Sequence, residues 1–466
     1  MVYYTSITYS LLVGLIWFFM PSPIVVIALF IAPLIVVKVV KYPYVICLGF
    51  IIFSFFRIHE AFPVLSPLHI PQLLALSSLG VLGWHLFVSK QIECYWTTQL
   101  SWFASFFGLV VIGLMFASNK AEAIGTFSAT YIKIAIMALA IVWLSRKPED
   151  FLLASRLFLI AGVTVALVAL NNKANGIGLV EGTRVTIGRD IGSILGDPND
   201  LSLVLLFPSS FGLSLFFSQG ISKLERLLSL IGFITLASAI IATQSRGGLL
   251  GIMAICGYFA WIKVKSKILL ISAVGMLLPI LFVAAGISDR SSGGAAEDGI
   301  DESAMGRIYA WGAAIKMAVS NPLTGVGLDN FYINYYYFSS HWDGKNHAVH
   351  STWFGILAET GFLGLGVFIG LLVSLFKKLR KSQQQLELLI LMCQSSGSKQ
   401  ENKALNVIQT FSFSVFAGLL SFMISGTFLT QGFTWPFYIL MALTISLCHY
   451  IEEQYLKSNI DQNQSN

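Results

Sequence analysis

Residues 151–170 read FLLASRLFLIAGVTVALVAL, an apolar run interrupted by a single charge at Arg156. About 20 such residues cross the hydrocarbon core of a bilayer as a helix, so this stretch is a transmembrane helix by length alone. Similar runs recur at roughly 7–20, 23–40, 44–57, 73–89, 100–118, 124–145, 200–218, 226–243, 247–263, 267–286, 351–376, 405–427 and 433–451. The runs at 7–20 and 44–57 are short and read as half-spans or re-entrant pieces. Hydrophobic residues make up 56% and charged residues 11% of the chain, which excludes a soluble domain. The mean hydropathy of +0.77 agrees. The period-two alternation of a membrane β-barrel is absent. The expected fold is all-α, a polytopic integral membrane protein with about 12–14 transmembrane helices.

Lysine and arginine in short loops orient such a protein, because they are retained on the cytoplasmic side. Lys38 and Lys41, Arg146 and Lys147, Lys223 and Arg226, and Lys263, Lys265 and Lys267 occupy every second connection. Lys377, Lys378, Arg380 and Lys381 continue the alternation, as does Lys457. Both termini are therefore expected in the cytoplasm, and no cleavable signal peptide is evident. The long polar loops 171–199 and 287–350 then share the outer face with the turn at Ser245–Arg246. Three regions follow. Residues 1–199 form an N-terminal bundle ending in the outer loop 171–199. Residues 200–376 form a core that includes the loop 287–350. Residues 377–466 comprise a basic cytoplasmic loop, two C-terminal spans and a short cytoplasmic tail.

The five cysteines avoid both long outer loops, so no disulfide is expected there. A net charge of +6 is spread over many loops and gives no support for nucleic acid as a partner. The expected partners are membrane lipids and whatever the outer face binds.

The stretch Lys345–Gly361, KNHAVHSTWFGILAETG, places His350 where a polar loop re-enters an apolar helix. An ionisable group at a membrane boundary is a functional candidate, and an imidazole with a reference pKa of about 6.5 suits proton transfer near neutrality. The competing reading is an interfacial histidine bonding headgroups or a helix terminus. Glu359, nine residues on, lies about 13.5 Å deeper on a continuous helix and is read as a buried structural group. Arginines collect on the same face: Arg184 and Arg189 in the first loop, Arg246 in the turn, and Arg290 in the second loop. Their planar, permanently charged forks suit phosphate oxygens. Arg246 is the sharpest candidate, because Gly247 and Gly248 allow close approach. The others alternatively meet lipid phosphates or pair with Asp190 and Asp197.

Within the second loop an acidic run leads into GRIYAWGAAIKMAVS, closed by Asn321–Pro322. Helical spacing gathers Ile308, Trp311, Ile315 and Val319 on one face, as in a short amphipathic helix lying on the membrane or docked on the spans. His341, Asp343, His347 and His350 have the residue types of a metal site, but Lys345 among them would repel a cation. Asp197 and Asp200, in GDPND, read as a turn and helix cap. No metal and no cofactor are expected. Gly325–Asn330 lacks a dinucleotide fingerprint, and Gly366 and Gly370 read as a helix-packing pair.

In order, the Ser-Arg-Gly-Gly turn at 245–248, the block GRIYAWGAAIKMAVSNPLTGVGLDNF at 306–331 and the His350 motif ending Glu359-Thr360-Gly361 resemble the O-antigen ligase and polymerase superfamily of bacterial envelopes. The likeness covers roughly residues 200–376, and Ser351 stands where the family commonly has Asn. It implies a membrane-embedded, GT-C-like glycosyltransferase that needs no metal. Such an enzyme takes a glycan from undecaprenyl diphosphate to an acceptor hydroxyl at the periplasmic face of the inner membrane. The acceptor would be lipid A-core or a comparable glycan or protein. Carried onto this chain, Arg246 and Arg307 would hold the diphosphate and His350 would activate the acceptor. Arg184, Arg189 and His347 are the further candidates for substrate contact. A polymerase or protein O-oligosaccharyltransferase would use the same donor. A transporter of polyprenyl-linked sugar draws support only from Lys133 and Arg156 inside spans, with no visible repeat.

Overall fold

The computed structural model describes residues 36–266, 302–342, 344–396 and 399–465, with isolated positions between 10 and 33 and at 268, 272 and 275. The spans expected at 7–20 and 267–286, most of 23–40, the acidic run before the amphipathic helix with Arg290, and Asp343 lie outside the described residues. Among the described residues there is no strand, only a single bridge between Val180 and Arg184. The fold is all-α.

Helix α1 (Pro43–Phe55) is apolar but short. It is followed by α2 (Ile70–Val88), α3 (Thr98–Phe116), α4 (Lys120–Leu144), α5 (Pro148–Asn175), α6 (Pro198–Phe217) and α7 (Lys223–Ala242). Then come α8 (Arg246–Lys263), α9 (Glu302–Ser320), α10 (Phe331–Phe338), α11 (Thr352–Ser396), α12 (Lys399–Gly426) and α13 (Trp435–Ser465). Eight of the described helices, α2 to α7 with α11 and α12, are long and apolar enough to cross a membrane. The chain is a polytopic membrane protein.

Helix α6 is the axis of the bundle, packed against α5, α7, α8 and α12 and buried continuously from Leu201 to Leu215. Lipid tails offer no hydrophobic drive between helices, so close packing and hydroxyl bonds hold such a bundle together. Phe158, Phe207 and Phe211 pack at ring distances of 4.9–5.2 Å, and Phe211 meets Phe411 of α12 at 5.4 Å. Ser214 donates across to the Thr410 carbonyl (2.7 Å), while Ser209 and Ser210 bond back along α6. Arg156, the charge in the opening span, makes a two-pronged ion pair with Glu225 of α7 (2.7 and 3.0 Å). Lys133 lies on the outside of the bundle.

Two expectations change. The basic run Lys377–Lys381 is not a loop: beyond a break at Gly361, α11 stays helical through it to Ser396, about 52 Å at 1.5 Å per residue. That is longer than the bilayer core, so its end projects beyond the spans. Amphipathic α9 also docks by a different face from the apolar stripe read in the sequence. Ala310, Ala313, Ala314 and Met317 are buried, while Ile308, Ile315 and Val319 on the opposite side are exposed. Small side chains let α9 approach α11 closely, which larger ones would prevent.

Helices α9 and α10 and the start of α11 enclose a second, smaller core that includes Val326, Phe331, Tyr335, Val349 and Ala358. The turn 321–327 seats this unit on α11. Val326 N–H donates to the Ala358 carbonyl (2.8 Å), and Phe362 N–H donates to the Pro322 carbonyl (2.9 Å). Helix α11 breaks at Gly361 (φ 69°, ψ −172°), where a β-carbon would come 2.5 Å from the Pro322 oxygen. Gly361→Ala is expected to destabilise the protein by about 1–3 kcal/mol, through overpacking at a left-handed position. Thermal unfolding in detergent measures this. Gly366→Ala is the control, because nothing lies within 4 Å of its added methyl, and should leave the midpoint unchanged or slightly raised. Of the expected packing pair, Gly370 meets Trp102 of α3 (2.5 Å from a built β-carbon), whereas Gly366 faces open space.

Candidate functional site

The starts of α6, α8 and α11 meet at one end of the bundle, joined by the segment 427–434 between α12 and α13. Asp197 caps α6, its carboxylate accepting from the amides of Asn199 (2.7 Å) and Asp200 (3.3 Å), as the cap reading expected. Gln431 donates to Asp200 Oδ1 (2.7 Å), and its own amide donates to Thr352 Oγ (3.1 Å) in the first turn of α11. Thr352 in turn donates to the Leu429 carbonyl (2.7 Å), and the Trp353 indole donates to Thr427 (3.0 Å). Each helix start carries a partial positive charge from its unpaired amides.

Arg246 is the first residue of α8, behind the cap Ser245, whose hydroxyl accepts from Gly248 N–H (3.2 Å). The two glycines serve helix contact. A β-carbon on Gly248 would sit 2.6 Å from Ser202 Oγ of α6, and one on Gly247 would meet Ser425 and Phe428 at 3.5 Å. Phe428 also receives the Arg307 guanidinium of α9, 5.8 Å from its ring centre. A cation over an aromatic face is held without its charge being neutralised. Phe428 thus joins the Arg246 turn to Arg307.

His350 stands two residues before α11 with a left-handed backbone (φ 44°). That conformation costs a side-chain-bearing residue roughly 1–2 kcal/mol, so its neighbours must impose it. They are well anchored. The Trp311 indole donates to the Val349 carbonyl (3.1 Å) and stacks on Phe354 at 5.0 Å, while Ser351 and Thr352 are buried. The pKa of His350 lies below the usual imidazole value, first because burial disfavours its charge, then because Arg307 is near. Asp197 pulls it up and His347 pushes it down. His350 is therefore a neutral imidazole at neutral pH, within electrostatic reach of Arg307, His347 and Asp197.

The remaining candidates separate. His347 belongs to the group, its ring edge-on to Tyr335 at 5.3 Å. Arg184 is buried and donates to the Thr243 carbonyl (3.2 Å) and Asn199 (3.0 Å), bracing the loop 176–197 against the ends of α7 and α6. Arg189 is exposed in a short 3-10 turn of that loop. The turn is tied through Ser193 to Glu60 (2.6 Å), and among the described residues no hydrogen bond or ion pair joins Arg189 to His350. Glu359 is buried and accepts from Phe331 N–H (3.4 Å), as its structural reading expected. Among the described residues no three His, Cys, Asp or Glu side chains converge as metal ligands. A cavity of about 710 Å³ opens at the other end of the bundle, beside Lys41, Trp84, His85 and Arg146, and contains none of the candidates.

The sequence reading passed over Phe428 and Gln431. Their segment, TFLTQGFT, carries no charge and merely connects two spans, and only its unusual polarity for so short a connection marks it.

The geometry defines a helical membrane protein in which Arg307 lies near a neutral His350, and Phe428 links Arg307 to the helix start that carries Arg246. Comparison with known families matches residues 231–369 to the family described as O-antigen ligase, a likeness over under a third of the chain that supports the O-antigen ligase superfamily. The matched stretch runs from α7 into α11 and includes Arg246, Arg307, His347 and His350. The match supports a membrane glycan transferase of the O-antigen ligase and polymerase type. No curated protein matches it.

Proposed function

We propose that this protein is a glycan ligase of the bacterial inner membrane, with both termini cytoplasmic and its site on the periplasmic face. It transfers a glycan from undecaprenyl diphosphate to a hydroxyl of lipid A-core or a comparable acceptor. The observation that supports this reading is the closeness of Arg307 to His350, with the Arg246 turn linked to Arg307 through Phe428. Arg246 and Arg307, with the helix starts behind them, bind the diphosphate and offset the charge that grows on it. The bond between the sugar's anomeric carbon and the diphosphate oxygen breaks, and the diphosphate leaves with the electron pair. The acceptor oxygen takes its place on that carbon while neutral His350 accepts the hydroxyl proton. A diphosphate is a good leaving group, so positioning and fixed charge suffice without a metal. Arg184 supports the site from behind, and His347 lies on the acceptor side.

The test is deletion of the gene in the host, complemented by wild type or by His350→Ala, with envelope polysaccharide resolved on a gel. A ligase predicts loss of long chains from lipid A-core and accumulation of polymer on its carrier, restored by wild type alone. Core bearing single repeats would instead mark a polymerase, and an unchanged ladder would remove lipopolysaccharide from the proposal. The transporter reading loses one of its two supports, since Arg156 is committed to Glu225.

A further inference from the structure

Helix α10 and the loop after it present a surface that the reaction does not use. Tyr332 (52% exposed), Tyr336 (55%), Tyr337 (75%) and Trp342 (42%) leave large ring faces open. The rings are fixed against one another: Tyr336 meets Trp342 edge-on at 4.8 Å and Tyr337 at 5.3 Å. Tyr335 lies beneath, 6.4 Å from Trp342 and 5.3 Å from His347, so the surface continues directly into the histidine side of the site.

The chemistry of this surface differs from that of a contact with acyl chains, and it shares its residue types with an interfacial belt. Residues 335–347, YYYFSSHWDGKNH, contain no aliphatic side chain. Most exposed aliphatic side chains of the same unit, Ile308, Ile315 and Val319, lie on α9, with Ile333 at the edge of the aromatic surface and Leu323 in the turn before α10. Rings carrying polar tips and held rigid offer apolar contact in water at little entropic cost. A pyranose ring has the complementary form, with one face of C–H bonds and a rim of hydroxyls.

We propose that Tyr336, Tyr337 and Trp342 form a stacking platform for the acceptor glycan, delivering its hydroxyl toward His347 and His350. The assignment to acceptor rather than donor follows from the Tyr335–His347 contact, since the arginines take the diphosphate end. It rests on the glycan-transfer reading above.

The test uses the full chain in nanodiscs, labelled with 5-fluorotryptophan, the Trp342 resonance being identified by its loss in Trp342→Phe. Core oligosaccharide released from the host's lipopolysaccharide by mild acid is expected to shift that resonance saturably. Nitroxide-labelled phosphatidylcholine should leave it sharp. In the transfer assay, Tyr336→Ala/Trp342→Ala is expected to raise the acceptor KM about tenfold, with kcat within twofold and the donor KM unchanged. Tyr336→Phe/Trp342→Tyr, which retains both rings, should recover most of the acceptor KM lost in the alanine pair, which separates stacking from misfolding. A resonance broadened by the nitroxide lipid and unmoved by oligosaccharide would make the surface a membrane belt and overturn the proposal. So would an unchanged acceptor KM in the alanine pair. Absence of transfer by wild type, with the oligosaccharide shift intact, would instead remove the ligase reading and leave the platform.

Discussion

Arg246→Ala should lower kcat by about 10²–10³-fold, the usual loss when a fixed donor to a developing charge is removed. The guanidinium stands at the start of α8, where the amides behind it reinforce its field. Water entering in its place could supply hydrogen bonds but not a permanent charge. Arg246→Lys restores the charge without the two-pronged fork, so its turnover should fall between the two. Both variants should insert into the membrane like wild type, because Gly247, Gly248 and Ser245 set the packing of this turn. The assay is single-turnover transfer by purified protein in EDTA, which is expected to leave wild-type turnover intact. Turnover of the alanine variant within threefold of wild type would take Arg246 out of the mechanism.

The second large effect is expected at His350, and its backbone supplies the control. Glycine adopts φ 44° without the clash that a β-carbon meets there, so His350→Gly relieves backbone strain while deleting the imidazole. Transfer should fall about 10²–10⁴-fold, the typical contribution of a positioned general base. The thermal midpoint should hold or rise. A fall in both together would indicate that His350 supports the fold.

The pH profile gives an independent reading. Burial and Arg307 hold the His350 pKa below its ordinary value, so the imidazole is neutral at neutral pH, as the proposed base requires. Activity is lost as pH falls through that lowered pKa, because protonation removes the acceptor for the hydroxyl's proton. The acid limb should therefore start below about pH 6.5, the reference value for histidine, and be absent from the residual activity of His350→Gly. Arg307→Gln removes one of the charges that lower the pKa and should move the limb upward in pH.

Much of this site was legible because its chemistry runs against its surroundings. An arginine or histidine at the end of an apolar run is costly unless it has work to do, and that contrast marked Arg246 and His350, while Arg307 was marked only by the family resemblance. Glu359 was legible for the opposite reason, since helical rise alone carried it away from His350. Arg184 and Arg189 carried the same charge signal yet stand in different places, one buried against Thr243 and Asn199, the other exposed. Charge in a sequence marks a residue that needs a partner but does not say which partner. Phe428 was invisible for a related reason: an aromatic residue beside a span is commonplace, and its position between the Gly247 turn and Arg307 depends on how α12 packs.

Hydropathy along the chain determined the membrane class, the helical fold and most of the span positions, because bilayer thickness is a length that sequence can be counted against. Packing decided the rest. Whether α9 docked by its alanine face or its isoleucine face depended on how closely α11 allowed it to approach. The break in α11 at Gly361 likewise required the Pro322 carbonyl to occupy the space beside it. Contacts between residues far apart in sequence, such as Gln431 with Asp200, brought three helix starts to one corner, since their register depends on side-chain shape at every crossing of the bundle.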